Sequence, residues 1–141
     1  MATGTSYLSA PAAQVLLDGK EVGQFEVTTA LKTDTAAVDD EAILASFTTL
    51  RLPVDPAPCP RVLEIAFLND EWEGEGQTGD TDLIIDKVSF AGRTYSPDHF
   101  RLITPGAGVG FRGAFRLSRN GSIAIDLAPN RACLTASIAA P

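Results

Sequence analysis

The sequence predicts an all-β protein: a β-sandwich, jelly-roll-like, of about eight or more short antiparallel strands. Three observations carry that prediction. Short runs alternate apolar and polar residues, no window sustains a helical period, and turn dipeptides recur at modest spacing. With 141 residues and 45% apolar content, the chain is long enough for one domain with a proper core. Residues 1–12 are small and polar and read as a flexible lead-in, with Tyr7 disordered; 13–141 read as the sandwich.

Gln14–Leu17 is a short apolar run that ends at the turn dipeptide Asp18-Gly19. Glu21–Ala30 then alternates through Val22, Phe25 and Val27, so the two runs read as a hairpin. Residues 32–41 are a polar loop. Ala42–Leu52 carries Ile43, Leu44, Phe47 and Leu50 among serine and threonine, which suits a strand better than a helix. PVDPAPCP, residues 53–60, has four prolines and must be a connecting loop. Arg61–Leu68 reads as a central strand with Leu63, Ile65 and Phe67 on one face. A loop over 69–81 follows, then a strand over Asp82–Phe90, a turn at Ala91-Gly92 and a short strand Arg93–Tyr95. Phe111–Leu117 and Ser122–Ala128 flank Arg119-Asn120-Gly121, the clearest hairpin signal in the chain. A last strand is expected over Ala132–Ile138.

The net charge of −7 argues against nucleic acid or an anionic membrane as partner, since both require a basic patch. No apolar run approaches the roughly 20 residues that cross a bilayer. The opening MATGTSYLSA has neither a basic nor an apolar region of signal-peptide type. That leaves a cytoplasmic protein or a domain of a longer secreted chain. Cys59 and Cys133 permit one disulfide, which would stabilise by about 4 kcal/mol in the chain-entropy model; two buried thiols are the alternative.

The chemistry concentrates in EIAFLNDEWEGEGQTGDTDLIID, residues 64–86. Eight of the chain's eighteen carboxylates stand there, with no Lys or Arg among them. Such crowding opposes folding by repulsion, and a divalent cation would relieve it. Carboxylates, the Asn69 amide oxygen and backbone carbonyls are hard oxygen donors that suit calcium. Gly74, Gly76 and Gly79 let the backbone turn its carbonyls inward. One His and two distant Cys disfavour zinc, and the EF-hand spacing is absent. A solvated acidic loop without metal is the plainer alternative.

FLND, a spacer, then GDTDLIIDKVSFAGRTY resembles the calcium-dependent xylan-binding carbohydrate-binding modules of families 36 and 60. Asn69-Asp70, Asp80-Thr81-Asp82-Leu83, Asp86 and Gly92 to Tyr95 fill the family's positions over about 35 residues. The resemblance implies a jelly-roll sandwich that binds polysaccharide or oligosaccharide through a calcium ion, whose open positions take two adjacent sugar hydroxyls. It implies Asp70 and Asp80 as ligands, with Asp82 next. Asn69 and the backbone near Gly79 complete the candidate metal set, unless Asn69 braces the loop instead. Trp72, Glu71, Asp70 and Asp80 are the candidate sugar contacts. An aromatic face such as that of Trp72 stacks on a pyranose ring; anchoring the loop from beneath is its other reading. Asp82 stands where the family has Asn, and Ile84 where an aromatic is common, so xylan itself is not assumed.

These features make 13–141 a non-catalytic module of a larger secreted protein or glycoside hydrolase. A structural or adhesive sandwich, in which calcium only stiffens a loop, is the rival. A small hydrolase is a weaker one. His99 beside Asp98 lacks a nucleophile elbow, and Glu64 with Asp86 falls inside predicted strands. The glycines of 106–110 lack the Lys and helix of a phosphate loop.

Overall fold

The computed structural model describes residues 1–33, 38–54 and 59–129. Among the described residues, thirteen strands follow one another: β1 (Ala2–Ser6), β2 (Ala12–Leu17), β3 (Lys20–Glu26), β4 (Leu31–Lys32), β5 (Val62–Phe67), β6 (Glu71–Trp72), β7 (Asp80–Ile85), β8 (Val88–Phe90), β9 (Arg93–Tyr95), β10 (Phe100–Leu102), β11 (Gly108–Phe111), β12 (Ala114–Leu117) and β13 (Gly121–Asp126). One short helix, α1 (Asp40–Leu44), and a 3₁₀ turn at Pro97–His99 complete the described elements. The first sheet runs β11-β12-β7-β1-β4, with β6 also paired to β7; the second runs β10-β13-β5-β2-β3. Every pairing is antiparallel except β1 with β4. The predicted sandwich is therefore the observed one.

Alternation builds the core between the sheets. Val15 and Leu17 of β2, Leu63, Ile65 and Phe67 of β5, and Ile123 and Ile125 of β13 point inward from the second sheet. Leu83 and Ile85 of β7 and Leu117 of β12 meet them from the first. The Asp18-Gly19 hairpin forms as predicted, with φ of +50° and +82°, and Ala91-Gly92 repeats the device between β8 and β9.

Four sequence expectations give way. Residues 2–6 are not a loose lead-in: β1 is buried between β7 and β4. Its residues are small because the centre of the sheet is crowded. A Cβ on Gly4 would stand 2.2 Å from the Asp82 carbonyl oxygen. Tyr7 is likewise ordered, its amide donating to Thr81 Oγ1 at 2.8 Å. Second, Ala42–Leu52 does not form the expected strand. Asp39 caps a helix instead, its Oδ1 accepting from the Ala42 amide at 2.7 Å, and Ile43 docks on Ile84. Third, Asp82–Phe90 breaks at Asp86-Lys87 into β7 and β8.

Fourth, Asn120-Gly121 is not a hairpin turn. β12 and β13 belong to opposite sheets, and the chain crosses between them at 118–120. Gly121 lies in strand and is glycine for space: a Cβ there would come within 2.7 Å of the Thr104 and Ala107 side chains. The hairpin of this region turns at Arg112-Gly113, where φ is +45° and +86°. The predicted strand over 132–138 and Cys133 lie outside the described residues.

Because β1 is a structural strand, Gly4→Ala should destabilise the domain by about 2 kcal/mol through overpacking against Asp82. Urea unfolding checks it, and a midpoint equal to wild type would return residues 1–12 to the status of a lead-in.

Candidate functional site

The site arises from the way β7 is gripped. On one side it pairs with β1. On the other, two strands meet it end to end: β12 along Leu83–Ile85 and β6 along Asp80–Thr81. Asp82 stands at the junction. Extending the β6–β7 ladder by one residue sets Asp70 opposite Asp82, just as Trp72 stands opposite Asp80. Cross-strand partners share a face and alternate residues share a face, so Trp72, Asp70, Asp80 and Asp82 project together, with Arg116 beside Ile84 on the same side. That side faces away from the apolar core.

Carboxylate oxygens of Asp70, Asp80 and Asp82 all lie within 4.8 Å of one another. Backbone anchors hold each in place. Thr33, itself buried, accepts from the Asp80 amide at 2.9 Å and donates to the Asp80 carbonyl at 2.8 Å through one hydroxyl. The Asp82 amide donates to Thr5 Oγ1 at 3.1 Å, and the Asp70 amide to Asn120 Oδ1 at 2.7 Å. The Asn120-Gly121 signal therefore marks a real feature, a site support and not a turn.

The electrostatics are strained. Burial pushes the Asp80 carboxyl up to about 7, helped by the neighbouring Asp82 carboxylate, while Arg116 pulls the other way and Asp70 adds to the rise. Burial also raises Asp70, with Asp82 and Glu71 adding to it and Arg119 opposing. Counter-charge is thus present, contrary to the reading of the 64–86 segment alone. Arg116 reaches in from β12, and its Nε and Nη2 both lie 2.6 Å from Asp82 Oδ2; its Nη2 is 3.9 Å from Asp80.

A hard dication fits this set. Asp82 is 1% exposed, yet its Oδ1 has no hydrogen-bond partner, and neither has the buried Oδ1 of Asp70. Buried acceptors left unpaired are costly and uncommon. Two such oxygens beside a third carboxylate form an all-oxygen donor set of the kind calcium takes.

Other candidates have different posts. Asn69 is the brace: Oδ1 accepts from the Ala12 amide at 2.7 Å, and Nδ2 donates to Ser9 Oγ and the Ala10 carbonyl. Glu71 lies on the opposite face of β6 from the cluster. Its Oε1 accepts from the Ser9 amide, Ser9 Oγ and Thr81 Oγ1. Gly79 pairs with Glu73, donating to Oε2 and accepting from the amide at 2.8 Å. A Cβ on Gly79 would stand 2.6 Å from the Tyr7 ring, so close packing requires glycine there. Trp72 is 64% exposed and is not tucked beneath the loop. Glu64 lies in β5 of the second sheet and Asp86 in the break between β7 and β8, and His99 lies in the exposed 3₁₀ turn beside Ser96. Arg116 and Asn120 escaped sequence reasoning; only the lack of any cation in 64–86 hinted that one must come from elsewhere.

The fold and site define a β-sandwich with a three-carboxylate cluster that could hold a metal ion, beside an exposed tryptophan. The chain belongs to the CBM60 family, the Ca-dependent, xylan-binding carbohydrate-binding modules, whose pattern matches residues 1–104. The match starts at the first residue and so includes β1. No curated protein and no solved structure gave a match. Among the described residues, no helix is long and apolar enough to cross a membrane.

The raised Asp80 carboxyl fixes a pH dependence. Between 3.8 and about 7 the folded, metal-free chain keeps a proton that the unfolded chain has released, so stability falls as pH rises through that window. The melting temperature in chelator should drop from pH 5 to pH 8, and the increment that calcium adds should grow over the same range. Asp80→Asn should flatten the slope. A wild-type profile in chelator as flat as that of the variant would show that Asp80 is not strained.

Proposed function

We propose that this module binds polysaccharide through a calcium ion held by Asp70, Asp80 and Asp82, with Trp72 as the neighbouring sugar platform. The unpaired Oδ1 of the fully buried Asp82 is the observation that carries the reading. When bound, calcium supplies open coordination positions that two adjacent sugar hydroxyls can fill. The chain's own residues do the rest. Thr33, Thr5 and Asn120 fix the backbone of each aspartate, so the donors need little rearrangement. The exposed indole offers a flat face on the cluster's side of the sheet, suited to the C–H face of a pyranose.

The module serves as a tether within a longer secreted chain. Holding an attached catalytic domain near polysaccharide raises its effective concentration there. Extracellular calcium and an oxidising milieu suit this role, and would let Cys59 pair with Cys133. Binding without catalysis is consistent with the family's character as a module that recognises glycan.

Two outcomes are expected from affinity gels of xylan and other polysaccharides. Wild-type chain is retarded with calcium and runs free in EDTA; retardation that survives excess chelator would sink the mechanism. A melting temperature that rises with calcium while no glycan is retained would instead favour a purely structural ion. Asp80→Asn should abolish retention, yet raise the metal-free melting temperature at pH 8, because it removes a charge that the fold disfavours. Trp72→Ala should weaken glycan affinity about tenfold and leave the calcium effect on stability intact.

A further inference from the structure

Arg116 is a second, unassigned participant in the same site. It lies beyond residue 104, where the family match ends, so its place there is read from the structure alone. Its guanidinium grips one oxygen of Asp82 with two donors, each at 2.6 Å, and leaves Oδ1 unpaired. Phe111 backs it, with the guanidinium carbon 5.2 Å from the ring centroid, so the side chain is clamped on both flanks. Only 22% of it is exposed.

We propose that Arg116 is a built-in counter-cation that holds the three-carboxylate cluster together before a metal arrives, and that it lowers the site's affinity for divalent cations. The inference rests on the reading that Asp70, Asp80 and Asp82 hold the metal. Two effects of one charge are separable. In the metal-free chain, Arg116 compensates a carboxylate that would otherwise be buried and alone, which is strongly destabilising. With a dication at the unpaired oxygens, the same guanidinium is a like charge a few ångströms away, and it opposes binding. Arg116 also positions: its grip on Oδ2 fixes the Asp82 carboxylate and leaves Oδ1 free. The acidic cluster therefore stands folded without metal, at the expense of binding strength.

The experiment compares wild type with R116M, R116Q and R116K by calcium titration calorimetry at pH 8 and by melting in EDTA and in calcium. R116M sheds the charge and keeps a long apolar stem against Phe111. Its calcium Kd should tighten about tenfold, while its melting temperature in EDTA falls by about 10 °C and that in saturating calcium falls by less. R116Q keeps one donor for Asp82 without the charge and should tighten similarly, which preserves the test if R116M does not fold in EDTA. R116K keeps the charge but not the two-donor fork, so its Kd should stay closer to wild type than those of the charge-free variants. If the charge-free variants bind calcium no tighter than wild type, the inference is overturned while the site reading stands. Equal losses of stability with and without calcium would reduce Arg116 to a structural prop. A wild-type chain that takes up no calcium would remove the site reading and this inference with it.

Discussion

Three carboxylates held within 4.8 Å of one another against a single gripping guanidinium are the constraint on which the rest of this molecule turns. Ionised, the four groups sum to two negative charges, the complement of one divalent cation. A chain does not assemble such a group by chance packing, because each anion opposes the others and burial worsens the opposition. The fold must hold it by force from the backbone. That is why β7 is central, why it is paired on both sides, and why the two strands on its far side stop and start at Asp82.

The supports are distributed, and this explains the shape of the first sheet. Asp80 is tied by Thr33, at the end of β4; Asp82 by Thr5 of β1; Asp70 by Asn120, where the chain crosses between sheets. Glu71 and Asn69 bind the segment at 9–12 to the start of β6. Three stretches remote in sequence thus hold the main chain of three aspartates, and a fourth braces the start of β6. These ties to Asp70, Asp80 and Asp82 all run to the aspartates' own backbone groups. The carboxylates are therefore rigid through their main chain while their free oxygens remain unpaired.

Much of this was legible. The alternating strands β2, β5 and β13, the Asp18-Gly19 hairpin and the concentration of carboxylates followed from period, turn chemistry and charge. Asp70, Asp80 and Asp82 do come together, and Trp72 is exposed beside them. What was missed shares one cause: it depends on neighbours distant along the chain. Small residues at 2–5 look like a frayed end until Asp82 is seen pressed against Gly4. Asn120-Gly121 has the composition of a type I′ turn, but Gly121 answers to Thr104 and Ala107, and Asn120 to Asp70. Helix α1 is too short to show a period and announces itself only by its Asp39 cap.

The acidic segment itself is not one electrostatic problem, as its composition suggests, but several. Glu71 and Glu73 use their carboxylates to accept from backbone amides and hydroxyls, which stabilises the loop and brings no oxygen to the cluster. Glu64 stands in β5 of the second sheet, and Asp86 in the break between β7 and β8. Only Asp70, Asp80 and Asp82 carry the unresolved charge, and Arg116 answers for part of it. A cluster pared to three carboxylates, one of them fully buried with an oxygen unpaired, is more specific for a hard cation than a broad anionic patch would be. A broad patch would draw many cations weakly through long-range attraction; the three carboxylates here lie within 4.8 Å of one another, each anchored through its main chain.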